Sequence, residues 1–403
     1  MPRSVWIRSM LVVAGACAAL NAQADEGLQA IRRHWIDAGI NVLTLHNIDQ
    51  VFATRRVENS DAHWELPRAA APLDFSYEFG GSSHPADDIM QRTFTNALVI
   101  IRHGKIVHES YRNQTSENSH FVSFSMAKSV TSLLIGIAIE RGQIHGVDDP
   151  ITTYVPELRN SAYDGVTLRQ ALDMRSGADY VERYDNDRPN LLATAFEEAF
   201  VSNRANFADF ARTMKRAYPP GEHYSYSTFE TGVLGWVLER ATGQSISAFM
   251  SEQLWKPAGM ESYGYWMIDG PGDSGREFSG GGFNAIARDY ARLGLLMLRE
   301  GKAAQRQVVP RSWVSEIAGP AAHAPAFAVD PAFGYHYQWW PLRDSSAYMA
   351  SGLLGQCIYV DPASDTVVVK LSSFPPGNAD AGEETTAFLR AVSKWQPGKG
   401  KAK

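Results

Sequence analysis

A serine and a lysine three residues apart stand at the head of an apolar run, HFVSFSMAKSVTSLLIGIA, at residues 120–138. Residues at this spacing share one face of an α-helix, so the amine of Lys128 would lie within reach of the hydroxyl of Ser125. Such a pair has the composition of a nucleophile and its base. The alternative is structural: Ser125 caps the helix and Lys128 extends into solvent.

The residues after Lys128 favour the chemical interpretation. The stretch 129–139 carries no charged residue, and a helix that is apolar all round is buried. Burial and the positive end of the helix dipole both disfavour an ammonium group, whereas the pKa of a free lysine is about 10.4. We therefore expect a lowered pKa for Lys128, as a base at neutral pH requires. The backbone N–H groups at the same helix start could hold a developing oxyanion.

A tyrosine precedes a second helical pattern, GEHYSYSTFETGVLGWVLERATG, at 221–243. Tyr226 follows the turn signal Pro219-Pro220-Gly221 and is expected on a loop just before the helix. Its phenol could pass a proton between nucleophile and leaving group if a neighbouring cation lowers its pKa from about 10. The alternative is a packing role, since tyrosine is an amphipathic side chain common in such contacts.

A run of small residues, in AYMASGLLGQ at 347–356, comes directly before a predicted strand. Glycine and other small residues let a ligand or a second backbone approach a strand closely. A β-bulge or a tight turn would explain the same composition. None of these motifs is specific alone, because S-x-x-K, for example, fixes only two residues.

Strand patterns occur near both ends of the chain and helical patterns fill the middle. The segment 97–112 is predicted to form one hairpin, and 356–360 with 366–372 a second. A helix is predicted at 382–395, and helical patterns dominate 125–320. The simplest packing joins the two hairpins in one antiparallel sheet flanked by helices, which is an α+β fold with a large helical region.

The predicted domain organisation is simple. Residues 25–395 form one domain, because pairing the terminal strands leaves no clean boundary, and 396–403 form a tail. Residues 25–95 combine a helix-like start with irregular, proline-containing segments and are expected to wrap the main body.

The first 24 residues have the pattern of a secretory signal peptide. Two arginines precede an apolar stretch at 10–20, and an A-x-A sequence ends at Ala24. The apolar stretch is short for a transmembrane helix, and a first core helix is the alternative. We therefore expect cleavage after Ala24, a secreted or periplasmic protein, and no membrane contact afterwards.

The composition further narrows the functions and bound groups that are expected of this chain. The net charge is −6 and lysines and arginines are scattered, so nucleic-acid binding is not expected. Of the two cysteines, Cys17 falls in the signal sequence, which leaves Cys357 without an intramolecular disulfide partner. Lipid attachment at Cys17 is an alternative that the preceding residues match poorly. The 11 histidines form no cluster with ligand spacing, so neither a metal nor another cofactor is expected.

The order of the motifs resembles the serine β-lactamase and D-Ala-D-Ala peptidase superfamily. S-x-x-K at 125–128, Y-S-x at 226–228 and the small-residue edge at 350–352 follow one another as in its class C-like branch, which includes esterases and 6-aminohexanoate-dimer hydrolases. Other segments are similar to recurrent ones of that branch: VTLRQALDMRSGADY (166–180), LWKPAGM (254–260), GGGFNAIARDYARLGLLML (280–298) and FGYHYQWW (333–340). The resemblance covers most of the mature chain and implies the same fold as the pattern above.

The resemblance also implies a role for each matched residue. Ser125 would be the nucleophile and Lys128 the base. Tyr226 would relay the proton to the leaving atom and then help to activate water. The backbone N–H groups of Ser125 and Leu353 would bind the oxyanion. The first step would leave an acyl-enzyme on Ser125.

Further residues are candidates for a pocket that takes a small-molecule substrate. Tyr180 matches a substrate-contacting tyrosine of the 6-aminohexanoate-dimer hydrolases, and Asp185 or Asp187 could meet a substrate amine. Trp339 and Trp340 could form pocket walls, with core packing as the alternative. The remaining candidates stand within the matched motifs: Thr228, Ser351 and Gly352.

Two positions depart from the lactamases and peptidases of the superfamily. Those proteins carry asparagine where this chain has Thr228, and lysine or histidine where it has Ala350. The missing cation removes the usual partner of a β-lactam or peptide carboxylate, although Arg175 or Arg343 could supply one. The expected substrates are therefore esters or short linear amides. A β-lactamase or D-amino-acid peptidase, and a non-catalytic ligand-binding relic, are the alternatives.

Overall fold

The computed structural model describes residues 25–184, 190–270 and 274–398. Its strands are β1 (Thr54–Val57), β2 (Ser76–Phe79), β3 (Ser82–Pro85), β4 (Thr95–Arg102), β5 (Lys105–Tyr111), β6 (His120–Val122), β7 (Gly264–Met267), β8 (Phe283–Ile286), β9 (Lys302–Ala303), β10 (Arg306–Gln307), β11 (Trp340–Pro341), β12 (Tyr348–Gly352), β13 (Gln356–Asp361) and β14 (Thr366–Ser372). Its α-helices are α1 (25–34), α2 (Asn41–Thr44), α3 (Ile48–Val51), α4 (Ile89–Arg92), α5 (Met126–Glu140), α6 (Leu168–Leu172), α7 (Leu191–Phe196), α8 (Thr228–Thr242), α9 (Ile246–Met250), α10 (Ala287–Leu298), α11 (Arg311–Ala318) and α12 (Ala379–Lys394). None of the helices in these ranges combines the length and apolar character needed to cross a membrane.

A six-stranded antiparallel sheet joins the two ends of the chain, in the order β11-β12-β13-β14-β4-β5. The ends meet where β14 pairs with β4, for example at Val368 and Ile100. Every residue of β4 is buried, which explains why TNALVIIR is nearly continuous in apolar residues rather than alternating. The predicted sheet made from both terminal hairpins, and the helix that follows the second hairpin, are confirmed.

Helices cover both faces of this sheet. Val367 and Val369 of β14 belong to a core cluster that includes α10, where the absence of a side chain at Gly294 allows the helix to lie directly against Val367. Val368 points the opposite way and packs in a second cluster with Phe388 of α12. The sheet is therefore an internal layer, as the α+β prediction requires.

The helical part of the chain contains a second sheet that sequence analysis did not predict. This sheet is antiparallel and four-stranded, in the order β1-β7-β8-β6, so 125–320 is not wholly helical and 25–95 supplies one of its strands. Strands β7 (GYWM) and β8 (FNAI) are short and buried throughout, and such strands show no alternation to recognise. Strand β6 pairs with β8 and ends at Val122, close before Ser125.

Helix α5 runs through the interior from the end of this second sheet. All its residues from Met126 to Ala138 are buried, as its uncharged sequence predicts. Helix α8 packs against it and is followed by Gly243, whose φ of +68° forms a left-handed C-cap. The starts of these two helices therefore bring Lys128 and Thr228 together, 100 positions apart in the chain.

Candidate active site

Ser125 lies at the junction between β6 and α5. It precedes the first helical residue, yet its side chain does not cap the helix. Instead, Lys128 Nζ donates a hydrogen bond to Ser125 Oγ at 3.0 Å. Phe124, directly before it, has a φ of +44°, which is unfavourable for a bulky residue and is imposed by the turn that presents Ser125. The interpretation of Ser125 as a simple cap is therefore wrong.

Lys128 is buried, with 1% of its surface exposed. Its amine donates hydrogen bonds to Ser125 Oγ, to Thr228 Oγ1 at 3.1 Å and to the carbonyl oxygen of Gly280 at 2.6 Å. Burial lowers the pKa of Lys128 to about 8, although the charge of Glu182 opposes that change. About a tenth of the amine is then neutral at pH 7. The expected direction of the pKa change is confirmed, and the alternative of a solvent-exposed Lys128 is wrong.

The acceptors around Lys128 decide where the lone pair of its neutral amine points. The carbonyl oxygen of Gly280 can only accept, so it takes one N–H. The hydroxyl of Thr228 donates its own proton to Glu182 and therefore accepts a second N–H from Lys128. The remaining tetrahedral direction, toward Ser125 Oγ, is left for the lone pair. Neutral Lys128 is thus oriented to accept the proton of Ser125.

Glu182 is the main residue of this site that sequence analysis missed. Its carboxylate accepts hydrogen bonds from the backbone N–H of Thr228 at 2.9 Å, from the Thr228 hydroxyl, and from the phenols of Tyr180 and Tyr184 at 2.7 and 3.0 Å. Glu182 lies in an irregular segment 46 positions before Thr228, and no local pattern connects the two. The unusual threonine at 228 was the available signal, because a hydroxyl needs an acceptor to fix its direction.

Tyr226 lies on the loop before α8, as predicted. The amine of Lys128 lies 5.1 Å from the centre of its ring, while the rings of Tyr335 and Trp340 pack at 5.8 and 5.7 Å. Burial raises the pKa of Tyr226, and the interaction with Ser125 opposes this only in part. The pKa of Tyr226 is thus raised rather than lowered as expected from a neighbouring cation, because burial disfavours the charged phenolate. The phenol therefore keeps its proton at neutral pH.

The end of β12 packs against the turn that carries Ser125. A Cβ atom on Gly352 would lie 2.3 Å from the carbonyl oxygen of Ser123 and 3.1 Å from the backbone nitrogen of Ser125, so this approach requires glycine. Leu353, the next residue, lines the same cavity as Ser125. The backbone hydrogen bonds of the turn at the start of α5 begin with the N–H of Met126. The N–H of Ser125 is not part of this series. Such a paired approach is what an oxyanion site at Ser125 and Leu353 needs.

A cavity of about 400 Å³ opens beside Ser125. Its apolar lining includes Trp35, Ile36, Phe124, Leu192, Phe196 and Phe278. Its polar lining includes Arg33, Arg183, Tyr184, Glu197 and Thr228. The N-terminal segment, which is predicted to wrap the main body, also supplies part of the cavity wall.

Two aromatic candidates lie away from this cavity. Tyr180 is buried with its hydroxyl on Glu182, and Tyr184, four residues later, lines the cavity instead. Trp339 is buried in the core against Tyr348. Successive residues of an extended segment point to opposite sides, so Trp340 rather than Trp339 faces the Tyr226 side.

The arginines considered as replacements for the missing cation also lie elsewhere. Arg175 donates to the carbonyl oxygens of Gly221 and Ala326, at 3.4 and 2.7 Å. Arg343 is exposed and donates to the carbonyl oxygen of Asp330 at 3.3 Å. Neither arginine lines the cavity, because each is held at a separate loop.

The remaining candidates lie either on β12 or outside the described residues. Ala350 is buried in β12, and Ser351 pairs with Cys357 of β13 without lining the cavity. Asp185 and Asp187 lie outside the described residues. Among the residues that the structure describes, no three His, Cys, Asp or Glu side chains are grouped to hold a metal ion.

The beta-lactamase family profile matches residues 86–392. The chain belongs to the beta-lactamase family. A relative within it, the 6-aminohexanoate-dimer hydrolase of Paenarthrobacter ureafaciens, is 31% identical over 354 residues, which cover 85% of this chain and 87% of the relative. Esterase EstB of Burkholderia gladioli is 27% identical over 201 residues, which cover 44% of this chain and 48% of the esterase.

Solved structures of this family agree with that assignment. A proposed 6-aminohexanoate-dimer hydrolase from Bacillus anthracis superposes with a TM-score of 0.81 at 26% identity, covering 90% of this chain and 96% of that one. The protein is therefore a hydrolase of the serine β-lactamase fold, similar to 6-aminohexanoate-dimer hydrolases and esterases.

Proposed function

We propose that the protein is an exported serine hydrolase that cleaves esters or short linear amides through an acyl-enzyme on Ser125. The observation that carries the proposal is the position of the Lys128 amine, 3.0 Å from Ser125 Oγ and held by two other acceptors. A nucleophile within hydrogen-bond reach of an oriented base of lowered pKa is the arrangement that acyl transfer uses. The similarity to a dimer hydrolase and an esterase supports the same substrate classes.

Acylation begins with transfer of the Ser125 hydroxyl proton to neutral Lys128. Ser125 Oγ forms a bond to the substrate carbonyl carbon, whose π electrons move onto the carbonyl oxygen. The N–H groups of Ser125 and Leu353 donate to that oxyanion, and removal of one such donor typically costs a factor of about 10² to 10³ in rate. The close approach of Gly352 to the turn that carries Ser125 supports Leu353, the next residue, as the second donor.

Collapse of the intermediate breaks the bond to the leaving oxygen or nitrogen. Protonated Tyr226 donates its phenolic proton to that atom, and the proton held by Lys128 restores the phenol. The raised pKa of Tyr226 supports this order, since a phenol that stays protonated is ready to act as an acid. Water, deprotonated by the regenerated amine with the help of Tyr226, then hydrolyses the ester on Ser125.

Glu182 acts in this scheme as a positioning residue. It holds the hydroxyl of Thr228 so that the oxygen accepts from Lys128, and its charge keeps the pKa of Lys128 from falling further. Thr228, at the position where the lactamases and peptidases of the superfamily carry asparagine, thus contacts Lys128 with a hydroxyl whose direction Glu182 fixes.

Esters and linear amides are favoured over β-lactams because the strand edge lacks a cation. The position that carries lysine or histidine in lactamases and peptidases is the buried Ala350, and Arg175 and Arg343 are held elsewhere. An amine contact by Asp185 or Asp187 stays a prediction, to be tested by substitution with asparagine.

The test compares the mature protein with Ser125→Ala on p-nitrophenyl acetate and butyrate. Ser132→Ala is the matched control, because Ser132 is a buried serine of the same helix whose hydroxyl has no hydrogen-bond partner among the described residues. We expect turnover to collapse only in Ser125→Ala, and mass spectrometry of quenched wild type to find the acyl group on the peptide that contains Ser125.

Other outcomes would support the alternatives. Ser125-dependent hydrolysis of a chromogenic cephalosporin, faster than that of any ester or amide, would favour a β-lactamase. Absence of turnover with esters, amides and β-lactams would leave the ligand-binding relic.

Export is a separate part of the proposal. The signal pattern predicts a mature chain that begins at Asp25. Expression of the full chain in a bacterial host and intact-mass measurement of the periplasmic fraction would test this. A protein that keeps residues 1–24 in the cytoplasm would contradict it, and a mass increased by a lipid would point to Cys17.

A further inference from the structure

We infer that Gln338 is a positioning residue for the acid of the reaction. It fixes a tight turn between three helices, and the residues that flank this turn hold the ring of Tyr226. The inference rests on the proposed function, in which Tyr226 protonates the leaving atom. It extends that mechanism to a buried residue that acts through Tyr226 rather than on the substrate.

The turn lies in the segment FGYHYQWW at 333–340. The backbones of His336 and Trp339 exchange two hydrogen bonds, each of 3.0 Å, so Tyr337 and Gln338 form a two-residue turn. Their φ values are +46° and +67°, positive as in a type I′ turn, for which asparagine and glycine are the usual residues. A tyrosine and a glutamine are strained in this conformation and keep it only where surrounding contacts hold them.

The side chain of Gln338 supplies such contacts, with 1% of the residue exposed. Its amide nitrogen donates to the carbonyl oxygens of Ala171 and Leu172 at the end of α6, each at 3.1 Å. Its amide oxygen accepts from the hydroxyls of Thr231, at 2.7 Å, and Tyr335, at 3.4 Å. A glutamine amide has two N–H donors and two lone pairs, so its whole hydrogen-bonding capacity is used here.

The backbone of Gln338 is bonded to the same group of helices. Its N–H donates to the carbonyl oxygen of Leu172 at 3.1 Å, and its carbonyl oxygen accepts from the Ser129 hydroxyl at 2.7 Å. Ser129 follows Lys128 directly on α5, and Thr231 lies near the start of α8. Gln338 therefore fixes the turn relative to the starts of both helices that carry the reacting groups.

The residues that flank the turn pack against Tyr226. The ring of Tyr335 meets the ring of Tyr226 edge-on, with centroids 5.8 Å apart, and Trp340 lies 5.7 Å away with an interplanar angle of 34°. Tyr335 and Trp340 also pack on each other at 4.7 Å, and Gln338 holds the Tyr335 hydroxyl. A displaced turn would move both rings and loosen the phenol that must meet the leaving atom, and small errors in such a position lower rates steeply.

The test compares two esters that differ only in their leaving group, p-nitrophenyl butyrate and ethyl butyrate. Both give the same butyryl group on Ser125, and kcat/KM reports its formation rather than its hydrolysis. The p-nitrophenolate ion is a weak base that departs without a proton, whereas ethoxide departs only when an acid protonates it. The ratio of kcat/KM for the p-nitrophenyl ester to that for the ethyl ester therefore measures how well Tyr226 is placed. It does not depend on the amount of folded protein.

Four variants give the expected order of effects. Tyr226→Phe should raise the ratio about 100-fold, within the usual range for loss of a general acid. Gln338→Met keeps the length of the side chain without its amide and should raise the ratio about tenfold. Tyr335→Phe removes one hydroxyl, remains informative if Gln338→Met does not fold, and should raise the ratio about threefold. Tyr359→Phe is the matched control with a wild-type ratio, because Tyr359 is a buried tyrosine of β13 whose hydroxyl bonds Ser393 at 2.9 Å.

A double variant separates positioning from a purely structural role. Because Gln338 acts through the phenol of Tyr226, Gln338→Met should not raise the ratio further when it is combined with Tyr226→Phe. A role in stability alone would leave the ratio of Gln338→Met at the wild-type value. An action by another route would multiply the two effects in the double variant. Either of these results would overturn the inference.

The same measurements distinguish failure of this inference from failure of the proposed function. A raised ratio in Tyr226→Phe with unchanged ratios in Gln338→Met and Tyr335→Phe would overturn the inference and leave the hydrolase mechanism intact. An unchanged ratio in Tyr226→Phe would remove Tyr226 as the acid, and the inference with it. Turnover of both esters that survives in Ser125→Ala would overturn the proposed function itself.

Discussion

Two lysines of this protein are buried in different elements of the fold, Lys128 at the start of α5 and Lys370 on β14. Burial lowers the pKa of both, to about 8 for Lys128 and about 7 for Lys370. Each donates to a nearby serine hydroxyl, Ser125 at 3.0 Å and Ser372 at 2.7 Å. By pKa alone, Lys370 would be the better base at neutral pH.

The surroundings of the two serines make the difference. Ser125 lines a cavity, and Lys128 has two further acceptors that direct its lone pair. Ser372 is buried and also contacts Thr95, and the amine of Lys370 lies 4.8 Å from the centre of the Phe374 ring. A lowered lysine pKa therefore reports burial, and it identifies a base only beside a hydroxyl that substrate can reach.

The largest expected effect comes from removing each lysine in turn. Lys128→Met should lower kcat/KM for p-nitrophenyl butyrate by about 10³-fold, within the usual range for loss of a general base. Lys370→Met should change it less than threefold. Steady-state kinetics of the two purified variants measure both effects, and equal losses would break the distinction drawn between the two sites.

The second effect concerns backbone packing at two glycines, Gly352 at the end of β12 and Gly382 in α12. Gly352→Ala should lower kcat/KM by about 100-fold, because its Cβ would collide with the carbonyl oxygen of Ser123 and displace the strand that carries an oxyanion donor. Gly382→Ala, in α12 above the opposite face of the sheet, adds a Cβ atom that would meet no described atom within 4 Å apart from the neighbouring backbone of its own helix. It should leave kinetics unchanged and raise the free energy of unfolding by up to ~1 kcal/mol.

The third effect is a displacement of the pH profile. Activity requires neutral Lys128, so kcat/KM should rise with pH and level off above an apparent pKa near 8. Because the charge of Glu182 raises the pKa of Lys128, Glu182→Gln should move this limb to lower pH, and the disturbed Thr228 hydroxyl should lower the plateau about tenfold.

Glu384→Gln is the control for that profile, since Glu384 has the corresponding effect on the pKa of Lys370. Glu384→Gln should leave the apparent pKa of the kcat/KM profile unchanged, even if the variant is less stable. An apparent pKa that stays near 8 in Glu182→Gln would contradict the positioning role of Glu182.

The smallest effect is on stability. The folded pKa of Lys370, about 7, lies below the unfolded value of about 10.4, so the unfolded chain binds more protons between these values. Wild-type stability should therefore gain up to ~1.4 kcal/mol per pH unit from this group between pH 7 and 9. Urea unfolding at pH 7, 8 and 9 should give a smaller slope for Lys370→Met, and parallel slopes would contradict a buried neutral amine at this position.

Sequence patterns identified the candidate catalytic residues because the signals for them lie in short stretches of the chain. Spacing on one helical turn places Ser125 beside Lys128, and the uncharged run after them predicts burial of the amine. The turn signal before α8 places Tyr226 on its loop, and the two apolar hairpins predict the central sheet. Each of these features depends on residues close together in the chain.

Contacts between distant segments were decided only by the tertiary structure. Glu182, the carbonyl of Gly280 and the wall formed by Trp35 reach the site through packing, which no local period encodes. The same packing buries Tyr226 under Trp340 and raises its pKa instead of lowering it. The physical reason is that burial and hydrogen-bond direction depend on which neighbours the fold brings together. A sequence of this kind therefore determines which groups react, and the assembled fold determines how they are oriented and what they can bind.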